Sequence, residues 1–551
     1  MTDNARSAAA NLVLAAHERT KHMPDRYAPG PDALDWATRP DPFRRYEGAP
    51  IGNLDRVDDA PEPTYDSLFA GERHGAPGPS RALVSRLLRD SLAISAWKRV
   101  SSGDTWAVRV NPSSGNLHPT EAYLLAGPIE GLSDSPALWH YRPLDHALEQ
   151  LCAAHEAWSE LAADLPEGAF LVALTSIPWR TAWKYGERAL RYCQLDLGHA
   201  IGALALAARA TGFDLQVAGA VPSGDLAAIV FGGESPTGPD AEHADVVLVA
   251  SPSPAAPLPP GWRLAPRAVE SLRRTPRAGT ANQLSAAHRE WPLIHDAMAA
   301  WRTPGDLALD AGAPAADGHR DGPDRGLPAS RLFRSRRSAA AMDGVSRMTE
   351  AAFARLLGRL RGDRWPYSVL GVAPHAALAL LVHRVEGLEP GIYLLPRDGA
   401  LSAELRLALD PAFHWAPASG ASGKQGLMLL ATGEVQAAAG AVNAGQEITS
   451  DGAFAVAMLT RFGHVVGERP WMYPRLYWEC GLIGQVLYVE AEAAGLRGTG
   501  IGCYFDDLVH RLLGLRDDAW QSLYHFTVGG YLQDPRLQTL PAYGELPAPG
   551  Q

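Results

Sequence analysis

Two long apolar stretches in the chain have the pattern of helices buried on most faces. One is DLGHAIGALALAARATGFD at 196–214, and the other is ECGLIGQVLYVEAEAAGLRG at 479–498. Apolar or small residues fill each stretch over about four turns, and then a glycine follows, Gly212 or Gly495. The pattern predicts two long helices deep inside the protein, each ending near its glycine.

The two stretches also correspond to each other position by position. The pairs superposed by a shift of 283 residues are Asp196 with Glu479, Gly198 with Gly481, and Gly212 with Gly495. Upstream, PSSGNLHPTEAYLL at 112–125 aligns with YSVLGVAPHAALAL at 367–380, with Pro119 over Pro374. The two shifts differ, so the loops between the elements differ in length. A duplicated domain is the simplest interpretation.

Two polar, proline-containing stretches interrupt these blocks. SPSPAAPLPP at 251–260 cannot continue a helix or a central strand, and the Gly-, Pro- and Asp-rich stretch 303–328 favours a flexible linker. Between them, apolar residues at helical spacing predict helix in 264–302. We therefore divide the chain into an N-terminal extended arm (1–75), a first domain (76–262), a helical segment with a Gly/Pro-rich linker (263–330) and a second domain (331–551).

Composition and charge restrict the class of protein without indicating its chemistry. Apolar residues make up 46% of the chain, and 50 basic against 61 acidic residues give a net charge of −11. Proteins that bind duplex nucleic acid usually carry a basic excess, so we expect no nucleic-acid partner. No run approaches the ~18–20 apolar residues of a membrane span, and the start of the chain does not resemble a cleaved signal. We predict a cytoplasmic protein with no membrane contact.

Cysteine and histidine spacing gives no sign of a metal site. The four cysteines, Cys152, Cys193, Cys480 and Cys503, form no CxxC pair. Four cysteines in a chain of this length fit a reducing compartment better than a disulfide framework. We expect no metal.

The motifs around the two predicted helices resemble a known family. The first block contains RVNPSSGNLHPTEAYLL and WKYGERALRYCQLDLGHA. The second contains FRSRRSAAAMDG, YPRLYWECGLIGQVLYVEAEAAGLRGTGIGCYFDD and FTVGGYLQDPR. Here the chain resembles a tandem of two FMN-dependent nitroreductase-fold domains, most of all the SagB/McbC-type azoline dehydrogenases. The resemblance implies an α+β fold of two nitroreductase-like domains, each a mixed sheet flanked by helices, which form an intramolecular pseudo-dimer.

In the second block, the resemblance implies residues for the FMN phosphate and the flavin ring. Arg336, Arg337 and Ser338 offer guanidinium and hydroxyl groups, which suit a phosphate, and Arg536 resembles the late basic residue of the family. The glycines of GTGIGCYFDD allow close backbone approach to a flat ligand, so Gly500, Ile501 and Gly502 are assigned to the ring. Taken alone, RRS also fits a solvated helix start and Arg536 fits a surface turn.

In the first block, the turn PSSGN carries the candidate contacts to the pyrimidine edge of the flavin. These are Ser113, Ser114 and Asn116, preceded by Arg109, which is assigned either to that edge or to the ribityl chain. The two blocks have lost complementary parts, because YSVLG replaces PSSGN in the second and only Arg89 and Ser91 remain of RRS in the first. We therefore expect one composite site per chain and a vestigial site at the mirror position.

Lys184 and Tyr185 resemble the Lys-Tyr pair that azoline dehydrogenases use to remove a proton while the flavin accepts a hydride. An exposed lysine beside a half-buried tyrosine is the alternative interpretation. In the second block Met472 stands where the lysine would be, so only the first block offers such a base.

These observations predict an FMN-dependent oxidoreductase that oxidises a peptide or other natural-product substrate by an azoline-to-azole-like reaction or a related desaturation. Other biosynthetic enzymes are expected partners. One alternative is an NAD(P)H-dependent reductase of nitro or quinone compounds. Another is a catalytically degraded scaffold or peptide-binding protein.

Overall fold

The computed structural model describes residues 3–56, 61–73, 75–259, 261–305, 307 and 318–544. Part of the linker predicted at 303–328 lies outside these residues. None of the helices in the described ranges combines the length and apolarity needed to cross a membrane.

The chain folds into eighteen α-helices and nineteen strands over the described residues. The helices are α1 Asp3–Arg19, α2 Tyr65–Phe69, α3 Arg81–Arg89, α4 His155–Ala162, α5 Pro178–Tyr185, α6 Ala189–Ala210, α7 Ser223–Phe231, α8 Pro266–Arg274, α9 Pro292–Ala300, α10 Ala329–Ser335, α11 Glu350–Arg359, α12 Gly399–Ala408, α13 Gly420–Lys424, α14 Gln436–Val442, α15 Glu447–Asp451, α16 Gly463–Glu468, α17 Tyr473–Ala493 and α18 Asp506–Leu513. The strands are β1 Tyr46–Glu47, β2 Ile51–Asn53, β3 Ile94–Arg99, β4 Thr105–Arg109, β5 Thr120–Ala126, β6 Ala137–Arg142, β7 Ala147–Ala153, β8 Phe170–Ser176, β9 Phe213–Val217, β10 His243–Pro252, β11 Thr280–Ala281, β12 Ala376–Val382, β13 Gly391–Leu395, β14 Ala416–Pro417, β15 Met428–Thr432, β16 Phe454–Arg461, β17 Arg497–Ile501, β18 Trp520–Gly529 and β19 Gln538–Leu540.

Two seven-stranded sheets form the centres of two similar bodies. The strand order is β2-β7-β6-β5-β8-β10-β9 in the first body and β14-β15-β13-β12-β16-β18-β17 in the second. In both, a long helix follows the fifth strand of the order and leads to the edge strand, and the orders correspond from the second strand to the seventh. The first strands differ, because β2 comes from the N-terminal arm and β14 lies between β13 and β15 in the chain. The predicted α+β fold with two sheet-bearing bodies is confirmed.

The predicted mixed sheets differ from the structure in one respect. Every strand pair in both described sheets is antiparallel. The reason is the connection: β9 leads through α7 to β10, and β10 inserts between β9 and β8, antiparallel to both. No parallel crossover is needed within either body.

The two predicted long helices, α6 and α17, pack against each other at the interface of the bodies. Each ends two residues before its glycine, Gly212 (φ +85°) or Gly495 (φ +73°), as the sequence indicates. A Cβ atom on Gly481 would lie 2.7 Å from the Cα of Gly198, and a Cβ atom on Gly198 would lie 2.9 Å from the Cα of Gly481. One apolar core spans this crossing and draws side chains from both bodies.

The N-terminal arm is more structured than predicted. Residues 3–19 form helix α1 instead of an extended segment, and β2 joins the first sheet beside β7. Burial of Val13 and Ala16 in the common core explains this helix. The segment predicted to be helical at 264–302 forms two helices, α8 and α9, separated by residues 275–291.

Candidate active site

A cavity of about 690 Å³ lies between the two bodies. The first body contributes the β3–β4 hairpin, residues 111–116, Tyr185 and the face of α6 that carries Tyr192, Asp196 and His199. The second contributes residues 336–340, Gln446, Tyr488, residues 499–503, Tyr524 and the segment around 532–539. Neither body alone encloses this space.

One end of the cavity concentrates positive charge. Lys98, Arg337 and Arg497 all line it, and the Nζ of Lys98 donates to the Oγ1 of Thr539 at 2.6 Å. Burial and the two guanidinium groups lower the pKa of Lys98. Burial and the neighbouring cations lower the pKa of Arg337 to about 10, although Glu492 opposes this. An anion at this end would relieve the repulsion.

Arg336 joins the cation cluster to the first body. Its Nε donates to the carbonyl oxygen of Val110 at 2.7 Å and its Nη2 to that of Arg109 at 3.0 Å. The guanidinium lies 4.9 Å from the ring centre of Tyr488. Its buried Nη1 has no hydrogen-bond partner. Arg336 is therefore a lining group whose principal bonds hold the interface, with one donor still available.

Tyr488 connects Ser338, the serine of RRS, to the glycine-containing strand β17 through hydrogen bonds. Its hydroxyl lies 2.8 Å from the Oγ of Ser338 and accepts a hydrogen bond from the backbone N of Gly500 at 2.9 Å. Gly500 and Ile501 end β17, and Gly502 follows. A Cβ on Gly502 would come within 2.6 Å of the ring of Tyr192, so glycine permits this close approach of the backbone.

The PSSGN turn is anchored by a carboxylate from α6. Asp196 accepts from the Oγ of Ser113 at 2.7 Å, and from the backbone N and Oγ of Ser114 at 2.9 Å and 3.0 Å. Burial raises the pKa of Asp196 to about 7, against the effect of these hydrogen bonds. Both serine hydroxyls thus already have a protein partner. Asp196 orients the turn toward the cavity.

Two further residues of the turn have defined local roles. Gly115 has φ +63°, in the left-handed region, and a Cβ there would lie 2.7 Å from the hydroxyl of Tyr185. The Nδ2 of Asn116 donates to the carbonyl oxygen of Ala107 at 2.8 Å, and its Oδ1 lies 2.9 Å from the Nε2 of His118. Asn116 lines the cavity with its amide engaged by the protein.

Arg109 lines the same end of the cavity but is turned toward the N-terminal arm. Its Nη2 donates to the carbonyl oxygen of Pro42 at 2.6 Å, and its guanidinium stacks 5.5 Å from the ring of Phe43. Burial lowers the pKa of Arg109 to about 10. It supports the cavity wall.

Two of the predicted residues lie away from the cavity lining. Arg536 is 81% exposed and forms an ion pair with Asp534 at 2.8 Å, because the turn at 534–536 closes on itself. Lys184 is exposed, with its Nζ 5.2 Å from the ring centre of Tyr185. Tyr185 itself lines the cavity, and burial together with Tyr192 and Asp196 raises its pKa.

The sequence interpretation missed Lys98, Arg497, Asp196 and Tyr488. Lys98 and Arg497 lie on strands of different bodies, β3 and β17, and no local motif marks either of them. Asp196 stood in the repeat pattern, but its pairing with a turn more than eighty positions earlier is visible only in the fold. No cluster of three or more His, Cys, Asp or Glu within the described ranges is arranged to hold a metal ion.

At the mirror position the corresponding elements are in direct contact. The turn Tyr367–Leu370, the counterpart of PSSGN, packs against β9, the counterpart of β17. Beside it, the guanidinium of Arg209 lies 4.4 Å from the ring centre of Trp365, and the rings of Trp365 and Phe69 are 4.9 Å apart between their centres. β9 and this turn carry larger side chains where β17 and the PSSGN turn have glycines.

Comparison with known proteins gives a family match in the first body and a fold match over nearly the whole chain. Residues 76–238 match the model described as "Nitroreductase family". A crystal structure described as a nitroreductase from Anabaena variabilis ATCC 29413 is 21% identical, with 95% of this chain and 99% of that chain covered and a TM-score of 0.64.

Two other solved structures match more limited parts of the chain. One is the Escherichia coli microcin synthetase McbBCD complex with truncated pro-MccB17 bound (18% identity, 36% of this chain, 70% of that chain, TM-score 0.27). The other is described as a nitroreductase from Ralstonia eutropha JMP134 (16% identity, 41% of this chain, 100% of that chain, TM-score 0.29). A search of curated proteins finds no match. The chain therefore has the nitroreductase fold, with a match to the nitroreductase family in its first body, and both findings support the predicted enzyme class, an FMN-dependent oxidoreductase.

Proposed function

We propose that the cavity between the bodies binds one FMN and that the protein is a SagB-type dehydrogenase of a peptide or another natural product. The observation that carries the proposal is the composite lining: a cation cluster drawn from both bodies, and a carboxylate-anchored, glycine-containing turn from the first body. The reaction class is oxidation of an azoline-like ring or a related desaturation.

The residues present fit this cofactor. A volume of about 690 Å³ is within the usual range for ligand pockets. Lys98, Arg337, Ser338 and Arg497 would hold the phosphate, and the unpartnered Nη1 of Arg336 is a further donor. Gly500–Gly502 and the turn at 113–116 would approach the flat ring with their backbone. Glycine is needed at 115 and 502, because a side chain at either position would collide with a tyrosine.

Bound FMN supplies a hydride acceptor. The protein must then accept the proton that leaves the substrate. Asp196, with a pKa of about 7, can take up a proton near neutral pH, whereas Tyr185, with its raised pKa, stays protonated and acts as a hydrogen-bond donor. In this proposal Lys184 takes no proton, because it is exposed and outside the cavity lining.

We also infer that the two bodies arose by tandem duplication. The matching order of six strands in each sheet and the equivalent positions of α6 and α17 support this inference. Divergence after the duplication accounts for a flavin site on one side and packed side chains on the other. Other enzymes of the same biosynthetic route remain proposed partners.

Visible spectroscopy of the purified protein after incubation with FMN tests the proposed function. We expect a bound flavin band, slow bleaching by NADPH under anaerobic conditions, and faster bleaching by an azoline-containing peptide. Rapid bleaching by NADPH alone would instead favour a reductase of nitro or quinone compounds. Failure to bind FMN would favour a scaffold and contradict the proposal.

A further inference from the structure

A second cavity, of about 190 Å³, lies on the other side of the helix pair, between α7, α9 and the start of α17. Arg475 of α17 lines it, at the position that corresponds to Tyr192 of α6 under the shift of 283 residues. Tyr192 lines the large cavity. The smaller cavity is thus what remains open on the mirror side of the molecule, and the proposed function assigns it no role.

Arg475 is a buried cation without a counter-ion. Its side chain is 7% exposed, and no carboxylate of the described residues lies within ion-pair distance of it. Its Nη2 donates to the carbonyl oxygen of Gly219 at 2.5 Å, while its Nε and Nη1 have no hydrogen-bond partner. Burial alone lowers the pKa of Arg475 to about 10. A buried, unpaired charge is costly, so a bound anion at this place would offset its cost.

The other charged groups of the cavity leave its charge positive. Arg273 and Arg302 line the exposed mouth, where Glu234 also lies, and Arg273 is 3.7 Å from Asp225. Burial raises the pKa of Asp245 to about 7, so this carboxyl is partly neutral at physiological pH. The adjacent imidazoles of His243 and His295 are neutral, since burial lowers the pKa of both.

The walls around Arg475 are aromatic. Its guanidinium lies 4.7 Å from the ring centre of Trp471 and 6.0 Å from that of Trp478. Trp301 and Met298 add apolar surface to this lining. The volume corresponds to roughly six water molecules, which suits a small ligand and excludes a nucleotide.

We propose that this cavity binds a small aromatic carboxylate, whose carboxylate group pairs with Arg475 and whose ring packs between the tryptophans. A planar carboxylate matches the fork of a guanidinium, and the aromatic walls favour a planar apolar body over a hydrated inorganic anion. The proposal is independent of the proposed flavin chemistry, because it concerns a separate cavity.

Isothermal titration calorimetry of the flavin-loaded protein with phenylacetate tests the proposal. We expect saturable binding of phenylacetate and at least tenfold weaker binding of phenylacetamide, its neutral analogue. The visible flavin spectrum should not change on binding, because the large cavity is not involved. Equal binding of the two compounds, binding of inorganic phosphate in preference to phenylacetate, or no binding would overturn the proposal.

Three variants locate the site. Arg475→Gln should raise the Kd for phenylacetate at least tenfold, and Arg302→Gln, at the exposed mouth, should raise it about two- to fivefold through the loss of a partly screened charge. Arg302→Gln keeps the test valid if Arg475→Gln does not fold. Arg274→Gln is the matched control, since this exposed arginine lies on α8 beside Arg273 but does not line the cavity. Retained affinity in both cavity variants, or a shifted flavin band, would place phenylacetate elsewhere and contradict the proposal.

Discussion

At the scale of single residues, the protonation state of Asp196 makes the stability of the protein around the PSSGN turn depend on pH. Its folded-state pKa of about 7 lies above the ordinary value of 3.8, so the folded protein holds this proton more tightly than the unfolded chain. The stabilisation that results is fully present below about pH 4 and is lost as the pH rises through 7. Deprotonation leaves a buried carboxylate supported by three hydrogen bonds.

We therefore expect Asp196→Asn to raise the free energy of unfolding at pH 8 relative to the parent protein, by at most about 4 kcal/mol. The difference should shrink toward pH 4. Urea denaturation of both proteins at pH 4, 6 and 8 measures it. If the two proteins lose stability in parallel between pH 4 and 8, Asp196 is not the responsible group. In substrate oxidation, the variant should also lack the rise in rate near pH 7.

Arg337 gives a second prediction, for cofactor affinity. It lies among Lys98, Arg336 and Arg497 at the proposed phosphate end. Loss of one charge-assisted contact, worth about 1.5–3 kcal/mol, should raise the Kd for FMN roughly tenfold to a hundredfold in Arg337→Gln. Arg536→Gln is the matched control, because Arg536 is exposed and pairs with Asp534. Fluorescence titration with FMN compares them, and equal effects of the two changes would reject the assignment of the phosphate end.

Lys184 and Tyr185 are neighbours in the sequence, but only Tyr185 lines the large cavity, whereas Lys184 is exposed. Lys184→Ala should leave substrate oxidation within about threefold of the parent, because the amine does not reach the cavity lining. Tyr185→Phe should lower kcat by about five- to tenfold with FMN retained, because it removes a hydrogen-bond donor worth about 1–1.5 kcal/mol. Steady-state kinetics with an azoline peptide distinguishes them. A large loss in Lys184→Ala would restore the lysine as the base.

At the scale of elements, the crossing of α6 and α17 depends on two small residues. A Cβ at position 481 would come within 2.8 Å of the backbone N of His199, so α6 would have to shift. We expect Gly481→Ala to lower stability by about 1–3 kcal/mol and to weaken FMN binding, since these helices carry Asp196 and Tyr488. Gly467→Ala, in α16 with nothing within 4 Å of the new Cβ, is the control. Thermal unfolding with and without FMN measures both; equal melting temperatures would contradict the argument.

The sequence predicted the elements whose burial is uniform and missed those that depend on distant polar partners. Both long helices follow from their apolar runs. The ion-pair partner at the start of α6 could not be predicted, because Glu187 and Asp196 are the acidic residues near Arg188 and Arg191 in the sequence. In the fold both are buried against Asp506 of α18, at 3.3 Å and 2.5 Å. The prediction of site residues has the same limit. Arg336 and Ser113 belong to recognisable motifs, whereas Lys98 and Arg497 come to line the cavity only through the packing of strands that are distant in the sequence.

At the scale of the whole molecule, the two bodies offer one open cofactor cavity and one packed counterpart. We therefore expect a flavin-to-chain ratio of one in protein saturated with FMN. The turn at 367–370 and the stacked Trp365 occupy the counterpart position, and the cavity of about 190 Å³ that remains on the described mirror side is too small for FMN. Flavin released by denaturation, quantified against protein by amino-acid analysis, gives the ratio. A value near two would show that the mirror side also binds FMN.

The last described strand, β19, pairs with β3 of the first body and forms a three-stranded sheet with β4. Leu537 and Thr539 of this region line the cavity beside Lys98. A ribosome must therefore translate past residue 540 before the cofactor pocket has all its walls. Until then, the first body already has its own sheet but the cavity lacks its wall at 537–539, so loading of the proposed cofactor belongs to the final stage of synthesis.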